Sequence, residues 1–96
     1  MSISKHKLLD AVTGTGAGSG IPIPKAKAGQ SFPIQVNGIT TATVAFEGSF
    51  DGTNYDLIAG GEFTTDGCSM LNVPYPFVRA NCTAYTAGTI TVWIGT

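Results

Sequence analysis

The sequence predicts an all-β fold: a single antiparallel β-sandwich of seven to eight short strands, with a jelly roll as one variant. Three observations lead to this prediction. Apolar and polar residues alternate with a period of two in several segments. Turn-forming Gly, Asn, Asp and Pro separate those segments, and the chain has 13 glycines. No segment repeats with the period of an amphipathic helix.

Composition narrows the class of protein further. The 96 residues fit one domain, and only 11% of them are charged, against about a quarter in an average globular chain. The net charge is −1 and four of the five cations lie in the first 27 residues, which argues against a nucleic-acid interface. So little charge indicates either a surface rich in Thr and Asn or a surface covered by partners in an assembly.

The N-terminal segment has two interpretations. Residues 1–12 carry Leu8, Leu9 and Val12, and form either a first short strand or an arm that docks elsewhere. Residues 13–20, TGTGAGSG, place four glycines in eight positions, which is typical of a flexible loop. We therefore expect 1–20 to be a flexible arm and 21–96 to be the sandwich domain. A phosphate-binding loop is excluded because Ser19 replaces the third glycine of GxGxxG and two prolines follow.

The next elements follow from alternation and from turn signals. Residues 21–24 are expected to form an edge strand or an extended segment, because proline cannot donate to a central ladder. Residues 31–36 are a strand that ends at the turn Asn37-Gly38, and 41–49 are its antiparallel neighbour. Two further strands follow, around 55–58 and 68–73. The residues expected to point inward from the first pair are Phe32, Ile34, Val36, Ala42, Val44 and Phe46, whereas Thr43, Ala45 and Glu47 point outward.

The alternation of apolar and polar residues over 78–94 predicts a closing hairpin. Val78, Ala80, Cys82 and Ala84 alternate with polar residues in its first arm, and Ile90, Val92 and Ile94 do so in its second. The connector Thr86-Ala87-Gly88 is short and supplies a glycine for a positive φ, as a three-residue hairpin loop requires.

No set of residues points to catalysis. His6 has no nucleophile placed beside it and is expected to be solvated. Asp51 and Asp66 precede glycine and are interpreted as turn formers rather than as a carboxylate pair. The segment 51–56 fails the EF-hand pattern, which leaves a loose Ca²⁺ site from Glu47, Asp51 and Asp56 as the alternative. We therefore expect no cofactor, no metal and no enzymatic activity.

The cysteines and the aromatic residues have structural interpretations. Cys82 lies on the inward register, so a buried free thiol is favoured over a disulfide with Cys68. No signal peptide or membrane-spanning stretch is apparent, and we expect the chain to fold in a reducing cytoplasm. Trp93, with Tyr85, Tyr75 and Tyr55, forms either a sugar-stacking platform or packing and interface contacts.

The run ATVAFEGSFDGTNYDL at 42–57 resembles a pattern in small structural proteins of tailed bacteriophages and prophages. In that family a strand leads into a Gly-Ser-x-Asp-Gly-x-Asn-aromatic turn. The run PFVRANCTAYTAGTITV at 76–92 is similar to the hairpin that ends those domains, and LLDAV at 8–12 resembles their opening. The family often has Leu at the position of Phe50 and Trp at that of Tyr55, and both exchanges keep an apolar anchor.

The resemblance implies a non-enzymatic virion protein, made in the host cytoplasm. The leading expectation is a capsid decoration (cement) protein that binds the major capsid protein as a homo-oligomer, by analogy a trimer. The alternatives are a tail or neck component and a carbohydrate-binding module for host recognition. The residues expected to bind partners are Leu8, Leu9, Val12, Tyr85 and Trp93.

Overall fold

The structure, a computed structural model, describes residues 5–23 and 31–96. Within these residues the chain is built from strands, and no helix that could cross a membrane is found there. The described residues form seven strands: β1 Lys5–Val12, β2 Gly16–Ala17, β3 Ile21–Pro22, β4 Ser31–Ser49, β5 Asp56–Phe63, β6 Gly67–Asn72 and β7 Phe77–Gly95. All their pairings are antiparallel, which confirms the predicted class.

The seven strands hydrogen-bond into one sheet with the order β1-β7-β4-β5. The 19-residue strands β4 and β7 pair along their length, from Ile34 with Ile94 to Ser49 with Phe77. Strands β1, β2 and β3 follow one another along the other side of β7. Strands β5 and β6 likewise pair with successive parts of β4, on the side away from β7. The sheet is therefore four strands wide: the series β1, β2 and β3, then β7, then β4, then the series β5 and β6. Its two centre strands are much longer than the short strands predicted.

The predicted closing hairpin is wrong, because residues 77–95 are one continuous strand. The predicted turn at Asn37-Gly38 also lies inside a strand, β4. Gly38 and Gly88, the glycines of these two predicted turns, both have a positive φ, 90° at Gly38 and 131° at Gly88. The register between β4 and β7 shifts repeatedly from Asn37 to Ala42. A glycine with positive φ serves a β-bulge as readily as a turn. These turn signals therefore mark a bend in two long strands.

The bend folds the sheet over on itself. Leu9 pairs with Val92, whereas Gly18 donates its backbone N–H to the Ala80 carbonyl at 2.9 Å. Ala80 and Val92 would be about 40 Å apart along a straight strand. Yet a Cβ atom on Gly18 would lie 3.0 Å from Cδ2 of Leu9, so the two ends of the sheet face each other. The strands thus form one antiparallel sheet, and the sandwich arrangement, with the jelly roll as its variant, stays a prediction.

The buried apolar residues of the described chain form one hydrophobic core cluster, and the predicted inward positions make up much of it. The alternation in β4 and in the second half of β7 is confirmed, but two alanines are misplaced: Ala45 is buried and Ala84 is exposed. The register shift between Thr43 and Val44 places Ala84 opposite Thr43, which was predicted to point outward. Ala45 keeps its position between the inward residues Val44 and Phe46, so it is buried on the other face of β4. The core residues are Leu8, Leu9, Ile23, Phe32, Ile34, Val36, Ala42, Val44, Phe46, Ile58, Leu71, Val73, Val78, Ala80, Cys82, Ile90, Val92 and Ile94.

The N-terminal residues that the structure describes belong to this same sheet. Of the two interpretations of residues 1–12, the structure shows a first strand over Lys5–Val12. Leu8 and Leu9 are only 2% and 3% exposed, because they pack into the core. Strand β3 lies at the edge of the sheet, as the prolines predicted. Residues 1–4 of the predicted arm and residues 24–30 of the predicted domain, which include Lys25 and Lys27, lie outside the described residues.

Candidate interaction surface

The outer face of the half-sheet β1-β7-β4-β6 carries a row of four side chains, one from each strand. Lys7 pairs with Trp93, Trp93 with Gln35, and Gln35 with Cys68. Paired residues share a face, so all four point away from the core. The Lys7 Nζ lies 5.0 Å from the centre of the Trp93 ring, in cation–π geometry, and also 3.2 Å from an Asp10 carboxylate oxygen. These contacts hold the tryptophan ring against the sheet.

Beside this row lies an open, mainly apolar groove of about 890 Å³. Gly95 lies in the neighbouring row, between Lys5 of β1 and Pro33 of β4, and its lack of a side chain leaves space beside Trp93. Met70 is 61% exposed, although it is a large apolar residue. Lys5 lines the end of the groove on β1. We call this set of residues, from Lys5 across Trp93 and Pro33 to Cys68 and Met70, the outer groove.

A polar cluster occupies the other half of the sheet. Arg79 Nε donates to Glu47 Oε1 at 2.7 Å, and Asn81 Nδ2 donates to Glu47 Oε2 at 3.3 Å. The Arg79 guanidinium lies 4.2 Å from the centre of the Tyr55 ring. The Tyr55 hydroxyl in turn packs against Gly20, where no side chain intervenes. This cluster ties the loop after β4 to the sheet.

The loop between β4 and β5, residues 50–55, is organised around Asp51. Its carboxylate accepts hydrogen bonds from the backbone N–H groups of Thr53 and Asn54, both at 2.8 Å. It also accepts from Asn54 Nδ2 at 2.9 Å and from Ser49 Oγ at 2.9 Å. The backbone donors, followed by these side chains, stabilise the charged form and lower the pKa of Asp51 well below its ordinary value of 3.8. The prediction that Asp51 is a turn former is confirmed.

This ordered loop presents Phe50 to solvent. Phe50 is 75% exposed, and its ring stands edge-to-face on Tyr75 with 5.6 Å between centroids. Tyr75 lies flat against the backbone of Gly48, where a Cβ atom would collide with the ring. The two rings form a corner over a recess of about 290 Å³ that Asn54 and Asp56 also line. We call this recess with its two rings the aromatic corner.

The structure separates the residues that the sequence assigned to partner binding. Leu8 and Leu9 are core residues, so their side chains offer no surface to a partner in this conformation. Val12 packs against the core and is partly buried. Tyr85 also packs there, and its hydroxyl donates to the Gly88 carbonyl at 2.5 Å, beside the bend. Trp93 lies on the outer face and lines the outer groove.

Two exposed apolar residues were missed by the sequence analysis. Phe50 was interpreted as an apolar anchor, and Met70 was not singled out. A signal for Met70 was present, because Leu71 and Val73 alternate as inward residues of the same segment and place Met70 on the opposite face. No comparable signal marks Phe50, because it lies in a loop without periodicity.

The remaining candidate groups do not come together. Glu47 is engaged by Arg79 and Asn81, and Asp51 by its own loop, so the loose Ca²⁺ site is not assembled. Among the residues described, no group of three His, Cys, Asp or Glu side chains is close enough to hold a metal ion. His6 is partly buried rather than solvated, with Nε2 3.0 Å from Thr96 Oγ1. Asp66 accepts from the N–H groups of Gly38 and Ile39 and so caps the bulge in β4.

Both cysteines are free thiols in the structure. Cys82 is buried, as predicted, and burial raises the pKa of its thiol, which donates a hydrogen bond to the Ala84 carbonyl at 3.4 Å. Cys68 is exposed in the outer groove.

Comparison with known proteins finds no family model, no curated protein and no solved structure that matches this chain.

Proposed function

We propose that this chain is a non-enzymatic structural protein of a tailed-phage virion, and that it acts as a decoration protein on the capsid. It would bind the major capsid protein as a homo-oligomer. The observation that carries the proposal is the aromatic corner: a folded β scaffold presents Phe50, 75% exposed, on a loop that internal hydrogen bonds hold in place. An exposed aromatic residue on an ordered loop is a typical anchor for a pocket in a partner protein.

Preorganisation of this loop favours a binding role. The Asp51 hydrogen bonds and the Arg79–Tyr55 contact fix the loop from both ends before any partner is present. A fixed loop loses little conformational entropy on binding, so more of the interaction free energy remains as affinity. The low charge of the chain fits the same role, because interface cores are depleted of charged residues.

The action of such a protein is mechanical. Copies that bind across neighbouring capsid subunits add buried area at the seams and so oppose the outward pressure of packaged DNA. Multivalent binding makes a modest contact sufficient, since the copies of one oligomer bind neighbouring sites at high effective concentration.

The test is imaging of virions assembled with and without this protein, by cryo-electron microscopy. We expect density for the chain on the capsid surface and lower shell stability in its absence. Phe50→Ser should reduce occupancy, because loss of an interface anchor costs about 2 kcal/mol, or roughly 30-fold in Kd. Leu57→Ser is the matched control, since Leu57 is also exposed, at 53%, but lies outside the aromatic corner.

Density in the tail or neck would replace the capsid assignment by the alternative position. Virions that contain none of the protein would contradict the proposal altogether. Equal occupancy for Phe50→Ser and the wild type would show that the aromatic corner is not the anchor.

The aromatic corner also favours one function of a different class, carbohydrate binding. Two perpendicular rings beside an amide and a carboxylate, Asn54 and Asp56, offer apolar faces and hydrogen-bonding groups that suit a sugar ring. A glycan array on the isolated domain, with Phe50→Ala as the negative control, separates the two functions. Specific glycan binding that Phe50→Ala abolishes would favour the carbohydrate function.

A further inference from the structure

The edges of the sheet differ in how they are protected against pairing with another chain. An exposed edge strand is normally guarded by charges, proline, bulges or short length. Strand β1 has lysines at positions 5 and 7 and two register shifts against β7. Strand β5 has Asp56 and Glu62 and a register shift against β4. Strands β2 and β3 are two residues long, and β3 contains proline.

Strand β6 has none of these protections. Its sequence, GCSMLN, contains no charge and no proline. Its six residues pair with β4 in an unbroken register, from Gly67 with Val36 to Asn72 with Ser31. Among the described strands it hydrogen-bonds to β4 alone. The backbone N–H and C=O groups that face away from β4 therefore form a straight, uncharged ladder that another strand can join.

The outer groove lies directly beside this edge. Cys68 and Met70 alternate with Ser69 and Leu71, and both line the groove on the outer face. A strand added to β6 would place every second side chain next to Cys68 and Met70. The added strand would then cover the exposed apolar area of Met70 on the edge of β6 that faces away from β4.

We propose that β6 pairs antiparallel with β6 of a second copy of this chain, around a two-fold axis. Charge favours self-pairing at β6, which carries no charge that a second copy would have to match. Self-pairing of β5 would set carboxylate against carboxylate, and β1 carries two lysines and one aspartate that cannot all be matched in a pair of identical strands. A two-fold contact of this kind is closed and self-complementary. It sets Cys68 and Met70 of both copies on one face and joins the two outer grooves into one apolar strip across the dimer.

This inference specifies the contact within the homo-oligomer of the proposed function, but it does not depend on the virion role. Its test needs the purified full chain alone, so the two can fail separately.

The experiment is sedimentation equilibrium of the full chain from low to high micromolar concentration. The expected mass rises to about twice the 9.9 kDa of one chain. Met70→Lys should raise the dimer dissociation constant by at least about tenfold, because it adds two cations to the same face of one short strand pair and removes the apolar contact of Met70. Leu57→Lys, the same change at an exposed apolar residue of β5, should leave the dissociation constant unchanged. Circular dichroism checks that both variants keep the β fold.

Hydrogen exchange provides a second measurement that needs no variant. Amides of residues 67–72 should become protected as concentration rises, whereas those of β5 should not. A monomeric mass at every concentration, a trimeric mass, a dimer that Met70→Lys leaves intact, or protection confined to other strands would each overturn the two-fold β6 contact.

Discussion

Gly38 and Gly88 face each other so closely that a Cβ atom on Gly88 would lie 2.4 Å from the Gly38 carbonyl oxygen. A Cβ atom on Gly38 would in turn lie 1.8 Å from the carbonyl oxygen of Thr89. The backbones of β4 and β7 meet here without any side chain between them, and both glycines have a positive φ. This contact is where the two centre strands bend and the sheet folds over the core.

Gly88→Ala should therefore destabilise the protein strongly. The added methyl group meets backbone that cannot rotate away, and alanine is strained at φ 131°. Each effect costs on the order of 1–3 kcal/mol, so we expect a loss of about 3 kcal/mol in the free energy of unfolding. Urea denaturation at 25 °C measures this loss.

Gly14→Ala is the control for that experiment, because no atom lies within 4 Å of the added methyl group and its φ is not positive. We expect its stability to stay within about 1 kcal/mol of the wild type. Equal effects at Gly14 and Gly88 would contradict the role of the glycine contact.

The same glycines show where prediction from sequence succeeds and where it fails. Alternation identified Phe32, Ile34 and Val92 as core residues, because burial of one face leaves a local pattern in the chain. Gly88 carries a local signal too, a positive φ, but that signal is common to hairpin turns and to bulges. Whether Gly88 forms a turn or a bulge depends on whether β4 pairs with the residues on both sides of it. That pairing joins residues far apart in the sequence, so no local pattern reveals it. For that reason two strands were predicted where β7 is one.

The partner surface was less predictable than the core. Leu8 and Leu9 were assigned to an arm because the glycine-rich segment after them indicated mobility, yet β7 supplies a pairing edge that no local pattern reveals. Phe50 is exposed because Asp51 fixes the loop around it, and that arrangement emerges only from the hydrogen bonds.

Arg79→Lys should destabilise the fold although it keeps the charge. Lysine loses the Nε donation to Glu47 and the flat stacking on Tyr55. The pair is mostly buried, with side chains 26% and 14% exposed, so we expect a loss of about 1–2 kcal/mol. Thermal and urea unfolding measure this loss.

Lys7→Gln, at the exposed ion pair with Asp10, is the comparison and should cost about 0.5 kcal/mol or less. A larger effect at Lys7 than at Arg79 would contradict this ranking.

The stability of the protein should depend on Asp51 in acid. The pKa of Asp51 is lower in the folded state than its ordinary 3.8, so its contribution is fully present above that pH. The contribution is lost as the pH falls below 3.8 toward the folded-state pKa. In Asp51→Asn this part of the pH dependence should be absent, so the stability difference from wild type narrows as acid is added. Urea titrations between neutral pH and strong acid measure the difference, and a gap that stays constant would contradict the assignment.

The two thiols should differ in reactivity in the native protein. Cys68 is exposed, whereas Cys82 is buried and burial raises the pKa of its thiol. A thiol reagent such as dithionitrobenzoate should modify one cysteine per chain promptly and the second only after denaturant is added. Cys68→Ser should abolish the prompt reaction. Two prompt equivalents would show that the half of the sheet around Cys82 opens readily.

The position of β7 in the sheet has a consequence for synthesis. It is the hydrogen-bonding partner of β1, β2, β3 and β4, yet it is translated after all of them. A nascent chain that has exposed only the earlier strands lacks the centre of the sheet, and Leu8, Leu9 and Phe32 have no finished core to enter. Assembly of the native structure must therefore wait until β7 has left the ribosome, and products truncated before β7 should stay unfolded and open to proteases.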